Sequence, residues 1–398
     1  MHQIQNGIWC IQFVAGLLCG KENEAVNSFV SLLHDSLTES LLYNETKQKA
    51  ILMIKCLHEY NNEATAEKAA CELQKNSKFN NRIDLSECQL TPVDCTAVVY
   101  FIKHLHELAE LDLSFNNITT QGVSHLCDAL KDVNYCKLTV LNLENNNITA
   151  QGVSHLCNAL KDVNCKFTKL NLSDNHITDL GVSHLCAALK DVNCKLTVLN
   201  LKNNNITAQG VSHLCNALKD VNCKLTELNL HANYIKDQGV SHLCDALKDV
   251  NCKLTELNLH ANYITDQGVS HLCAALKDVN CKLTELNLSY SYITDQGVSH
   301  LCDTLKDVNC KLTELKLNRN NLFTCYWVSD LLFALKDVNC KLIKLDLSAN
   351  YIEDEGLSYL CDALKDVNCK LTDLNLTCNS ISDNGVSYLC AATKKCKL

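Results

Sequence analysis

A histidine and a cysteine two residues apart recur in the hexapeptide "GVSHLC", which begins at residues 122, 152, 181, 210, 239, 268 and 297. Such a column could bind zinc or another soft metal, or an imidazole could activate a thiolate nucleophile. Helical geometry argues against both. On a helix, residues i and i+2 lie about 200° apart, so His242 and Cys244 cannot share a metal or pass a proton. Cys244 instead joins Val240, Leu243 and Leu247 on one apolar stripe, where a thiol packs as a small hydrophobe. His242 falls on the other side with Asp245 and Asp249, on an expected solvated face. Like residues of adjacent repeats would stand a helix spacing apart, about 8–10 Å, beyond the ~7 Å Cα limit of a disulfide and beyond sharing a zinc ion. A second cysteine column (Cys165, Cys194, Cys223, Cys252, Cys281, Cys310, Cys340 and Cys369) precedes the strands and is read as packing under a loop.

The other reactive-looking stretches do not meet their chemical requirements. In "GLLCGKEN" (16–23) only three residues separate Gly16 from Gly20, where a phosphate loop needs four. Glu22 stands after Lys21, where a hydroxyl would have to reach magnesium. "HLHEL" (104–108) lacks the His-Glu-x-x-His order of zinc proteases, and neither a Gly-x-Ser-x-Gly elbow nor a Cys-x-x-Cys pair occurs. The expectation is therefore a non-enzymatic protein with no catalytic residue, cofactor or metal.

A repeat positions the hexapeptide. Leu141, Leu170, Leu199, Leu228, Leu257 and Leu286 follow one another at 29 residues, and Ile83, Leu111, Leu315, Leu345 and Leu374 extend the series at 28 to 30, giving eleven units. In residues 224–252, Leu228 and Leu230 alternate with Glu227, Asn229 and His231, the period of a strand with one buried face. Asn233 belongs to a column with Asn116, Asn146, Asn175, Asn204, Asn262, Asn320, Asn350 and Asn379, whose amides can bridge backbone groups of successive turns. Cys88 and Ser291 replace it in two units and are expected to make weaker versions of the bond. Gly239 then opens an amphipathic helix. Strands pack about 4.8 Å apart and helices about 8–10 Å, so a stack of such units must bend, with strands inside and helices outside.

Residues 1–75 lie outside the period. "GIWCIQFVAGLLCG" (7–20) is too short to span a bilayer and lacks a basic flank, so it reads as a buried helix. "ENEAVNSFVSLLHDSL", "NETKQKAILMIKCLHEY" with Asn44 as N-cap, and "EATAEKAACELQ" read as further helices. This divides the chain into a helical segment, 1–75, and a repeat domain, 76–398.

Charge and cysteine content narrow the partners. A net charge of −9 and a pI near 5.9 argue against nucleic-acid binding, which needs clustered Lys and Arg. Without an export signal the 27 cysteines point to a reducing, cytoplasmic setting with no membrane anchor. Sequons at Asn117, Asn147, Asn205 and Asn375 would suit secretion, but most follow from the repeat's own "NxIT" and "LNLS/T" wording.

The pattern LxxLxLxxNxIT, then Gly, "LC.AL" and "NCKL", over residues 82–398, resembles the ribonuclease-inhibitor class of leucine-rich repeat carried by the NACHT/leucine-rich-repeat (NOD-like receptor) family. "FVAGLL" (13–18) and "IKCLHEY" (54–60) are similar to the helical region preceding the repeats in those receptors. The resemblance implies an α/β curved leucine-rich-repeat solenoid, or horseshoe, and the ligand-sensing or autoinhibitory portion of a cytosolic innate immune receptor whose nucleotide-binding module lies upstream. The alternative it leaves open is an enzyme regulator, ribonuclease-inhibitor-like or Ran-GTPase-activator-like.

Function should be sought where the repeats differ. The helical wording barely changes, whereas outward strand positions do. The candidates for a protein ligand on the concave face are Glu144, Lys169, Lys202, Glu227, Asn229, His231, Glu256, Asn258, His260, Glu314 and Lys316, with Tyr234, Tyr263 and Tyr292 in a neighbouring column. Drift on a tolerant surface after recent duplication is the competing explanation. One unit breaks the pattern: "LFTCYWVSDLLF" (322–333) puts Trp327 at the glycine position, either to fill a gap or as an exposed Tyr326/Trp327 contact.

Overall fold

The structure is a computed structural model that describes residues 47–76, 78–130, 137–320, 322 and 326–392. The helices expected before residue 40, the Asn44 cap and the "GLLCGKEN" stretch lie outside the described residues. The described residues fall into two compact units, one through residue 177 plus 191–196, the other comprising 178–190 and 197 onward.

In the first unit, helices Lys47–Tyr60 and Glu63–Lys75 precede strands β1 (Arg82–Asp84), β2 (Glu110–Asp112), β3 (Val140–Asn142) and β4 (Lys169–Asn171). Helices Asp94–Ile102, Thr119–Leu130 and Ala150–Leu160 alternate with those strands. Asn62 caps the second helix, its side chain accepting from Thr65 N at 3.0 Å. Lys55 and Lys47 tie the first helix to the repeats through Asp94 and Asp84, each at 2.6 Å.

The second unit opens with helix Thr178–Leu189 and continues through β5 (Val198–Asn200), β6 (Glu227–Asn229), β7 (Glu256–Asn258), β8 (Glu285–Asn287), β9 (Glu314–Lys316), β10 (Lys344–Asp346) and β11 (Asp373–Asn375), a helix following each strand. Within each unit the strands pair in parallel and in register, so Glu227, Glu256, Glu285 and Glu314 are consecutive partners. In each repeat the strand leucines and the helical stripe face the same interior. Leu228, Leu230, Ile235, Val240, Leu243 and Leu247 are all at most 2% exposed, contributing on the order of 10 kcal/mol per repeat before conformational entropy is subtracted.

The asparagine column satisfies the turns as the sequence predicts. Asn233 Nδ2 donates to Leu201 O and Leu230 O at 3.0 Å, and its Oδ1 accepts from Asn204 N and Ile206 N at 3.0 and 2.9 Å. Cys88 makes the weak form of the bond, its thiol donating to Ser86 O at 3.4 Å. Ser291 does not. Its buried hydroxyl has no hydrogen-bond partner among the described residues, because the short side chain cannot span to the carbonyls an amide would reach.

Glycine does not open the helix. Gly239 and Gly268 are the fourth and third residues of helices Lys236–Leu247 and Asp266–Leu276. Small size is needed at Gly239 because a Cβ would lie 2.4 Å from Ile235, and at Gly268 for a clasp between repeats. Asp237 Oδ1 accepts from Thr265 N at 2.8 Å and Gly268 N at 3.1 Å, and Thr265 Oγ1 donates to its other oxygen at 2.6 Å. A Cβ on Gly268 would lie 2.4 Å from that carboxylate and 2.7 Å from Ile264. Trp327 is 1% exposed, so it fills a gap, while Tyr326 beside it is 78% exposed.

Candidate functional site

Cys244 lies in the core, and burial pushes its thiol up to about 12, which keeps it protonated and poorly nucleophilic. His242 is half-buried rather than fully solvated. Among the described residues no three His, Cys, Asp or Glu side chains come together as a metal site, and no helix is long and apolar enough to cross a membrane.

The variable side chains of the second unit gather on its strand face. Alternation turns Leu228, Leu257 and Leu286 inward and leaves Glu227, Glu256 and Glu285 half-buried on the opposite side. These residues, with Glu314, Lys316 and the third-position asparagines, line a cleft of about 300 Å³. Glu285 was missed by sequence reasoning, yet register places it between Glu256 and Glu314. Burial, and then the charges of Glu285, Glu227 and Glu314, hold the Glu256 carboxyl above its ordinary value. Glu314 moves the other way. Burial would raise it, but Lys316 at 2.8 Å and Lys344 at 3.0 Å bring it below the usual carboxylate value.

Two aromatic rows run across the same repeats. Tyr234 stacks on Tyr263 at 6.0 Å and 12°, and Tyr263 on Tyr292 at 5.9 Å and 29°. His231 meets His260 at 4.2 Å, and His260 stacks on Tyr290 at 5.9 Å and 7°. Burial, and then the charge of Arg319, push His260 below its ordinary value, favouring a neutral ring. The first row remains open, Tyr234, Tyr263 and Tyr292 being 48%, 45% and 52% exposed. Tyr263 holds φ at 58°, the left-handed region where Asn147 and Asn205 stand in equivalent turns and where a bulky side chain costs about 1 kcal/mol.

The remaining candidates divide. Asn229 and Asn258 have a structural task, since their Oδ1 atoms accept from His231 N and His260 N, each at 3.0 Å, and lock the chain as it leaves the strand. Lys202 follows β5 in the same unit. Glu144 and Lys169 belong to the first unit, where Glu144 accepts from Asn171 Nδ2 at 3.1 Å and Lys169 is exposed. Sequence reasoning also missed Tyr290, which occupies the position of Ala232 and Ala261 and stacks only because His260 precedes it in space.

Residues 104–127, 136–157, 163–186, 192–215, 221–244, 250–273, 279–302, 338–361 and 367–390 match the Leucine Rich repeat family. Among solved structures, the chain is similar to an internalin (inlF) from Listeria monocytogenes, with a TM-score of 0.50 and 23% identity over 83% of this chain and 93% of that one. Internalin C2 (inlC2) of the same organism gives a TM-score of 0.32 and 22% identity over 67% and 80% of the two chains. The family match repeats along more than half of the sequence and falls on strand, asparagine turn and helix in the order described above, so the chain belongs to the leucine-rich-repeat family.

Proposed function

We propose that this protein binds another protein through the strand face of its repeats, the concave face expected from the sequence, and that it catalyses no reaction itself. The observation that carries this is the division of labour within each repeat. Leucines, asparagine turn and helix stay nearly constant, while half-buried charges and open stacked tyrosines sit on the strand side. Tyrosine suits such a surface because it buries area at low entropic cost and keeps a hydroxyl for bonding. The repeat wording supports a cytosolic NOD-like-receptor setting, in which residues 76–398 form the ligand-sensing or autoinhibitory domain behind a helical segment at 1–75.

The test is affinity capture from cytosol by the full chain beside a variant carrying Glu227→Ala, His231→Ala, Glu256→Ala and His260→Ala. A partner retained by the wild type and lost from the variant supports the reading. Equal recovery of every partner by both proteins overturns it.

A further inference from the structure

The strand face of the second unit is electrostatically incomplete. Glu227, Glu256 and Glu285 stand in register on three adjacent strands, which pack about 4.8 Å apart. None of the three carboxylates has an ion pair or hydrogen bond among the described residues. The neighbouring Glu314 is neutralised by Lys316 and Lys344. The acidic stretch is thus bounded by lysines at β9 and β10, with Lys202 following β5. A cleft opens over the row, and half-burial strengthens repulsion between like charges that water would otherwise screen. The tyrosine row runs parallel to it, seven residues further along each repeat, with ring faces and hydroxyls that attract ammonium and guanidinium groups.

We propose that the strand face over β6 to β8 docks a lysine- or arginine-rich segment of a partner protein. Its cationic groups lie on Glu227, Glu256 and Glu285, and its chain lies along Tyr234, Tyr263 and Tyr292. This rests on the protein-binding reading above and specifies the partner's chemistry. Charge complementarity decides it: an acidic or phosphorylated segment would add to the repulsion, and an apolar one would leave three half-buried carboxylates without counter-charge.

The experiment uses the full chain and a fluorescent peptide of five arginines alternating with glycine, read by anisotropy at about physiological salt. Glu227→Gln, Glu256→Gln and Glu285→Gln are combined in one variant, which keeps shape and removes charge. A second variant combines Asp245→Asn, Asp303→Asn and Asp362→Asn on exposed helical surfaces, removing the same net charge elsewhere. The expected result is about tenfold or more weaker binding for the first variant and a change within about twofold for the second. Equal weakening in both, or none in the first, overturns the proposal. The capture assay separates this from the parent reading. A partner kept by the glutamine variant but lost from the four-alanine variant ends the cationic assignment and leaves the binding face standing. A partner held equally by all forms ends both.

Discussion

The strand faces of the two units are built on the same three-residue strands, yet they treat their carboxylates differently. In the first unit Arg82 reaches Glu110 at 3.2 Å and Asp112 at 3.3 Å, while Asn142 and Asn171 donate to Asp112 and Glu144 at 3.0 and 3.1 Å. In the second, Glu227, Glu256 and Glu285 face outward with no such partner among the described residues, and Glu314 is neutralised by Lys316 and Lys344. The backbone therefore does not dictate the electrostatics. Leucine and asparagine columns fix the stack, and the outward positions can be self-satisfied in one stretch and left for a partner in another.

If the scaffold is common to both, breaking it should cost the same in either. Asn146→Ala and Asn233→Ala each orphan buried backbone groups, and each should destabilise by about 3–5 kcal/mol in denaturant titrations. A difference of more than about 1 kcal/mol between them would mean that the units are not equivalent frames. Gly268→Ala, which drives a Cβ into the Asp237 clasp, should cost about 1–3 kcal/mol, read as a lower denaturation midpoint.

Charge substitutions should be smaller and should differ in sign between the faces. Arg82→Gln strips Glu110 and Asp112 of their cation and should lose about 1 kcal/mol at neutral pH. Glu256→Gln relieves repulsion and should be neutral or stabilising by about 0.5 kcal/mol or less. Its pH dependence follows from the raised value. The stability Glu256 contributes is fully present below the ordinary 4.5 and is lost as pH rises through its higher folded value, so the gain from Glu256→Gln opens as pH increases. Glu314 is lowered, so its contribution is present above 4.5 and is lost as pH falls through the folded value, and Glu314→Gln should destabilise at neutral pH. Thermal unfolding of the two variants from about pH 3 to 7 checks both signs, and parallel profiles would erase the contrast between a paired and an unpaired carboxylate.

Most of the frame was legible in the sequence because it is written in residues that repeat: the leucine period, the asparagine column and the helical stripe reappear as strand, turn and core. The candidate face was only partly legible. Glu285 was absent from the candidates although Glu227, Glu256 and Glu314 were among them, and a carboxylate flanked by carboxylates becomes informative only when register sets the three side by side. Asn229 and Asn258 looked outward-facing by alternation, but alternation cannot reveal that an amide folds back onto the nitrogen two residues on. The glycine column shows the same limit. A helix start and a clasp both call for a small residue, and only the position of the Asp237 carboxylate from the preceding repeat distinguishes them.

That clasp recurs at Asp179–Thr207, Asp237–Thr265, Asp266–Thr294 and, with serine, Asp354–Ser382, which makes this stretch of the chain editable in whole units. Excising residues 237–265 would join Lys236 to Asp266, restoring the Asp-Gln-Gly sequence that follows Lys236 and handing the Thr294 contact to the same carboxylate that makes it now. The shortened protein should fold cooperatively, with one fewer helix in its circular-dichroism amplitude, whereas removing half that length would break the period and leave clasp donors without the carboxylate that accepts from them. Gene duplication needs only this rule to lengthen or shorten the strand face without inventing a new junction between repeats.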